Sequence, residues 1–146
     1  MTKVTLAIAG AYDPCEAIGV WACIRTINQR TPEPLRGVKD QTTCNALLLE
    51  AILEGSSGLS PSDDLMILTD SDYVRMGIKK WRNRVRREAL ERDPGSIPNA
   101  LLWQEVISRL EGYSLAVHRI SPDVKKQASR IAKEELLSIR ASYTFL

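Results

Sequence analysis

Apolar residues alternate in short runs through the first third of the chain and take up helical spacing after it. Residues 4–9 (Val-Thr-Leu-Ala-Ile-Ala) predict a strand, and residues 10–16 read as a loop. Residues 19–26 (Gly-Val-Trp-Ala-Cys-Ile-Arg-Thr) predict a second strand. Asn28, Arg30, Pro32 and Pro34 then mark a turn before a more polar third strand over 35–42. Three such runs joined by brief turns predict an antiparallel meander. From residue 44 the period changes. Ala46, Leu47, Leu49, Ala51, Ile52 and Leu53 form the apolar face of a helix over 44–54, which Gly55-Ser56-Ser57-Gly58 ends.

A strand over 65–69 (Leu-Met-Ile-Leu-Thr) runs into Asp70, and Asp70 or Ser71 can cap the helix that follows. Along that helix Val74, Ile78, Trp81 and Val85 recur at helical intervals until Asp93-Pro94-Gly95 breaks it. Pro98 opens another helix, through about residue 111, with Leu101, Leu102, Val106, Ile107 and Leu110 as its core face and Gly112 as its stop. Residues 114–120 predict the last strand. Pro122 starts a final helix carrying Val124, Ala128, Ile131, Ala132, Leu136 and Leu137. A strand–helix–strand unit implies parallel pairing with a right-handed crossover. The expected fold class is therefore α/β, a mixed sheet flanked by helices, in one domain over 1–141 with a tail over 142–146.

Composition narrows the class. With 44% hydrophobic and 26% charged residues, the 146-residue chain has the balance of a globular domain and is too apolar for disorder. No apolar run is long enough to span a bilayer, and the first residues lack a secretory signal layout, which predicts an intracellular protein of cytoplasm or nucleus with no membrane partner. Cys15, Cys23 and Cys44 are odd in number and show no C-x-x-C or zinc spacing, so reduced thiols are expected, Cys23 in the core. Cys44 lies near a helix start, with no base adjacent in sequence. No glycine-rich phosphate loop or nucleophile elbow is present.

Charge changes the picture more. The formal net charge is only +2, yet residues 79–92 hold Lys79, Lys80, Arg82, Arg84, Arg86, Arg87 and Arg92 against Glu88 and Glu91. A local basic patch on a nearly neutral protein points to a polyanionic partner. Just upstream, Asp70 places a carboxylate at the end of a strand, where metal-dependent phosphodiester chemistry is often built. One carboxylate alone does not hold a pair of magnesium ions.

The order of elements, with Leu68-Thr69-Asp70-Ser71-Asp72-Tyr73-Val74 and Trp81, resembles type 1 ribonuclease H. Thr42-Thr43-Cys44-Asn45-Ala46-Leu47-Leu48 resembles that family's threonine- and asparagine-rich entry into its first helix. Asn99-Ala100-Leu101-Leu102-Trp103-Gln104 resembles the start of a later one. More loosely, Leu115-Ala116-Val117-His118 and Gln127-Ala128-Ser129 are similar to its last strand and helix. The resemblance spans most of the chain. It implies a five-stranded mixed sheet, three antiparallel strands followed by two parallel ones. It also implies a family that cuts the RNA strand of RNA–DNA hybrids, using four carboxylates to hold two divalent ions.

The chain departs from that pattern where the chemistry lies. The first-strand aspartate falls at Ala9, the helix glutamate at Leu48 and the last-helix aspartate at Ser129; Asp70 alone remains. The expectation is a degenerate member, with Asp70 kept as a helix cap and neither metal nor cofactor. Magnesium or manganese enters only if Asp13, Glu50 and Asp70 form a relocated set. His118 lies near the family's mobile-loop histidine without its flanking glycines, and reads as a structural or surface residue. Trp21 and Trp103 read as core. The resemblance places Lys79, Lys80, Trp81, Arg82, Arg84, Arg86 and Arg87 in the handle that contacts the DNA strand. It places Thr42 and Thr43 at the minor groove and a phosphate, with Cys44 where the family has an asparagine. Three functions stay open: an inactive nucleic-acid binder, a hybrid nuclease with relocated carboxylates, and a protein-interaction scaffold.

Overall fold

A computed structural model describes residues 2–144. Five strands form one sheet in the order β3-β2-β1-β4-β5: β1 (Lys3–Asp13), β2 (Ile18–Ile27), β3 (Glu33–Asp40), β4 (Asp64–Thr69) and β5 (Ser114–Arg119). The first three pair antiparallel, and β1/β4 and β4/β5 pair parallel, giving the expected mixed sheet. Five α-helices surround it: α1 (Cys44–Gly55), α2 (Asp72–Trp81), α3 (Arg84–Arg92), α4 (Ala100–Leu110) and α5 (Pro122–Thr144).

Alternation along β1 divides the core. Val4, Leu6 and Ile8 face α1 and, beyond it, α2 and α4; Ala7 and Ala9 face α5. Small residues on the second face let α5 sit close, with Ala128 and Ala132 fully buried against the sheet. Cys23 lies in the α1 core, and burial pushes its thiol up to about 12. Cys15 and Cys44 are exposed and unpaired. The end of α1 is held from two sides. Arg25 donates to the carbonyls of Gly55 and Ser57 (both 3.1 Å), and Arg109 donates to that of Leu53 (2.9 Å). No helix among the described residues is long and apolar enough to cross a membrane.

Several boundaries differ from those the pattern predicts. β1 does not stop at residue 9: Gly10 to Asp13 pair with Trp21 to Ile18, so the expected loop is the second half of a long hairpin. Interstrand pairing overrode the weak apolar signal of Gly-Ala-Tyr-Asp. β3 lies two residues earlier than expected, drawn into register by Val20↔Val38. The basic segment is two helices. Asn83 takes an extended conformation, and its Oδ1 accepts the N–H groups of Val85 (3.1 Å) and Arg86 (3.3 Å), restarting the helix at Arg84. Val85 therefore leaves the Val74–Ile78–Trp81 stripe and is 75% exposed, and Leu90 is the residue α3 buries.

α4 begins at Ala100, after Asn99 turns the chain with φ 57°, and Pro98 precedes it. Its buried stripe is Ala100, Trp103, Val106, Ile107 and Leu110, which leaves Leu101 exposed. On α5 the stripe Ala128, Ala132, Leu136 likewise leaves Leu137 outside. Helix α5 continues through Thr144 into the expected tail; Phe145 and Leu146 lie outside the described residues.

Candidate active site and nucleic-acid interface

β1 and β4 run parallel from Lys3↔Asp64 to Ala7↔Leu68, then part. β1 continues with β2, while β4 ends at Thr69. The crevice so opened lies at the carboxyl end of two parallel strands, the usual position of a site in open α/β sheets. A cavity of about 190 Å³ occupies it, lined by Ile8, Ala9, Gly10, Cys44, Leu48, Asp70, Lys125 and Ser129. The fold thus brings together the four positions that the resemblance marked, from β1, α1, the end of β4 and α5.

Asp70 is not the cap that the sequence suggested. Ser71 caps α2, its Oγ accepting the Val74 N–H at 3.2 Å. The Asp70 carboxylate instead forms an ion pair with the ammonium of Lys125, both side chains about half exposed. Lys125 was missed in the sequence, although a signal existed: it precedes Ser129 by four residues and so shares its face of α5. Among the described residues Asp70 is the only carboxylate lining this cavity.

The acids named for a relocated set are held elsewhere. Asp13, at the far end of β1, accepts the Cys15 N–H (2.9 Å) and pairs with Arg140 (3.4 Å). Glu50 pairs with Lys39 (3.7 Å) and lines a different cavity. Among the described residues no group of three or more His, Cys, Asp and Glu side chains is placed to hold a metal ion. His118 is exposed on the edge strand β5, opposite Leu68.

The basic arm lies along α2 and α3. Lys79, Lys80, Arg82, Arg84 and Arg86 are all exposed. Lys80 stands 4.5 Å from the centroid of the Trp81 ring, a cation–π contact. Arg87 differs: it pairs with Glu91 (3.5 Å) and with Glu111 after α4. The hydrogen bond between Arg87 and Glu111 holds the Glu111 carboxyl below its ordinary 4.5 and raises Arg87. Arg87 therefore fastens α3 to the end of α4 and, among the described residues, is the member of the predicted contact set that is ion-paired within the protein. Trp81 is 6% exposed; one side packs in the core and the other walls a cavity of about 560 Å³ shared with Met76, Lys80, Arg86, Ile97, Pro98 and Trp103. Beneath it the Trp103 indole N–H donates to the Tyr73 hydroxyl at 2.8 Å, and Asn99 donates to the same oxygen at 3.1 Å.

Thr42 and Thr43 sit at the entry to α1. Thr43 is its cap, accepting the Ala46 N–H at 3.2 Å, and both threonines line a cavity of about 240 Å³ with Glu50 and Asn99.

Known proteins are similar to this chain in sequence and fold. The chain is 29% identical over 139 residues to ribonuclease H of Nitrobacter hamburgensis, covering 92% of this chain and 91% of that protein. It is 32% identical over 108 residues to ribonuclease H of Neisseria gonorrhoeae, covering 72% of each. In fold it is similar to a type 1 ribonuclease H described as carrying the type 2 active-site motif, with a TM-score of 0.71, 18% identity, and 90% of this chain and 71% of that one covered. The enzyme of Halobacterium salinarum gives a TM-score of 0.66 at 13% identity, covering 93% and 98%. The family model described as RNase H matches residues 1–121, a span that takes in all five strands, and the chain belongs to the ribonuclease H family.

Proposed function

We propose that this protein is a catalytically silent ribonuclease H that binds nucleic-acid duplexes through the cations of α2 and α3. The cavity at the end of β4 carries the first half of this reading. A hard divalent cation takes about six oxygen ligands and needs their negative charge. Ala9 offers a methyl group, Leu48 an isobutyl group and Ser129 a neutral hydroxyl, and Asp70 is already neutralised by Lys125. These residues do not fit a pair of magnesium or manganese ions, and two-metal hydrolysis has no ligand set here.

The second half rests on unpaired charge. Among the described residues Lys79, Arg82, Arg84 and Arg86 form no ion pair, and Arg86 lines the cavity that Trp81 walls. Lysine and arginine contacts to phosphate supply affinity without reading sequence. One fold neighbour, a foamy viral protease-reverse transcriptase, is a complex with double-stranded DNA (TM-score 0.70, 12% identity), which supports a duplex as the class of ligand.

A labelled RNA–DNA hybrid titrated with protein, with and without magnesium or manganese, tests both halves. Binding is expected, with log K falling against log salt at a slope of about −3 to −5, and the hybrid is expected to stay intact. Metal-dependent cleavage that vanishes in Asp70→Asn would sink the silent-site reading. Absence of binding to any duplex would remove the other half.

A further inference from the structure

We propose that Lys125 stands in the metal's place: a tethered ammonium that neutralises Asp70 and offers its remaining donors to a phosphodiester of the bound strand, making attachment here independent of divalent ions. The inference rests on the duplex-binding reading above and adds a second contact point to it. Among the described residues the cavity is lined by one carboxylate and one ammonium, in contact, and no other charged side chain. An ammonium has three donors, and a carboxylate oxygen occupies one. Lys125 lines the cavity and its side chain is 52% exposed, so its remaining donors are open to a ligand.

Neighbouring groups suit an anion better than a second cation. Ser129 adds a hydroxyl, and Leu48 excludes the carboxylate that would otherwise compete for the ammonium. The backbone of Lys125 is held in the first turn of α5, where its N–H donates to the Ser121 carbonyl at 2.9 Å. Position fits as well. Asp70 immediately precedes the cap of α2, and the basic arm begins at that helix's other end, about 15 Å away for ten residues. A duplex carries a charge about every 1.7 Å along its axis, so phosphates recur well within the span between the two points.

Two measurements test this. In the first, fluorescence anisotropy follows a labelled RNA–DNA hybrid in chelator and in magnesium at matched ionic strength. The native chain should bind equally in both. Lys125→Met should bind about five-fold more weakly, with the salt slope reduced by about one. Equal binding and equal slope for Lys125→Met would overturn the phosphate contact, as would magnesium-strengthened binding by the native chain. Loss of binding in an Arg82/Arg84/Arg86→Glu variant keeps the duplex reading separate, since it stands or falls without Lys125.

The second measurement needs no nucleic acid. Manganese binding is titrated calorimetrically on the Ala9→Asp, Leu48→Glu, Ser129→Asp variant with Lys125 kept and with Lys125→Ser, each checked for folding by circular dichroism. Removing the lysine should tighten manganese at least about ten-fold. Equal affinity would show that the ammonium does not occupy the metal's place. Should the triple variant not fold, the same titration on Ser129→Asp with and without Lys125→Ser carries the comparison.

Discussion

The cavity at the end of β4 and the arm made by α2 and α3 are neighbours in the chain and treat charge in opposite ways. In the cavity, one carboxylate meets one ammonium, and the remaining lining is apolar or neutral. Along the arm, lysines and arginines project from both helices with few acids to meet them; among the described residues Arg75, Arg87 and Arg92 are paired with carboxylates, and Lys79, Arg82, Arg84 and Arg86 are not. A site that satisfies its own charge has little left to bind a cation. A surface that leaves its charge unsatisfied holds potential for a polyanion. The contrast favours binding led by the cations of the two helices over metal chemistry in the cavity.

The most severe way to break that contrast is to reverse the arm. Arg82, Arg84 and Arg86 changed together to glutamate should lower hybrid affinity by about 100-fold or more at low salt, read by anisotropy, with little change in melting temperature. These side chains are exposed, so unaltered binding would mean that the arm is not the interface.

A second change tests the support beneath the arm. A Cβ added at Gly77 would stand 2.2 Å from the Trp103 ring, so α2 approaches α4 more closely than any side chain permits. Gly77→Ala should cost about 2–3 kcal/mol in urea unfolding. Binding should weaken with it, since Tyr73 and Trp103 brace the wall that carries Trp81. Full stability in this variant would show that Trp103 can move aside.

The cavity should respond far less. Asp70→Asn removes a half-exposed ion pair, which is worth about 1 kcal/mol or less, and takes away a negative charge. Its stability loss should stay under that figure, and hybrid binding should hold or strengthen about two-fold. A larger loss in either would mean that the cavity does more than neutralise itself.

The smallest expected effect concerns acid. Glu111 is held below 4.5 by Arg87, so its contribution is full above the unfolded value and disappears as pH falls through the lowered folded one. The native chain should therefore lose slightly more stability than Glu111→Gln on acidification below about pH 4.5, measured by thermal melts. Identical pH profiles for the two would show that this link is not made in solution.

Much of the fold can be read directly from residue order. Alternation in β2, the wide apolar face of α1 and the buried run of β4 each announce their element, because a residue's side of a strand or helix follows from its spacing alone. The candidate site was legible only as substitutions. The resemblance matched Leu48 to a carboxylate position through Thr-Thr-Cys-Asn-Ala upstream of it, Ala9 through Ile8-Ala9-Gly10-Ala11, and Ser129, more loosely, through Gln127-Ala128-Ser129. The break at Asn83 was present as a good capping residue, yet the stripe Val74–Ile78–Trp81–Val85 ran smoothly across it. Periodicity carries no information about where a cap interrupts the backbone.

Residue order alone carries most of the succession of elements, the resemblance to the family and the density of positive charge in 79–92. Those properties are local, set by residue type and spacing. Which charges remain available is a matter of packing. The fold sets Lys125 of α5 against Asp70 after β4, Arg87 of α3 against Glu111 after α4, and Asp13 of β1 against Arg140 of α5. Each pair joins elements distant in sequence. Whether a charge is satisfied by a neighbour or left for a ligand depends on distances of a few ångströms that only the assembled core establishes.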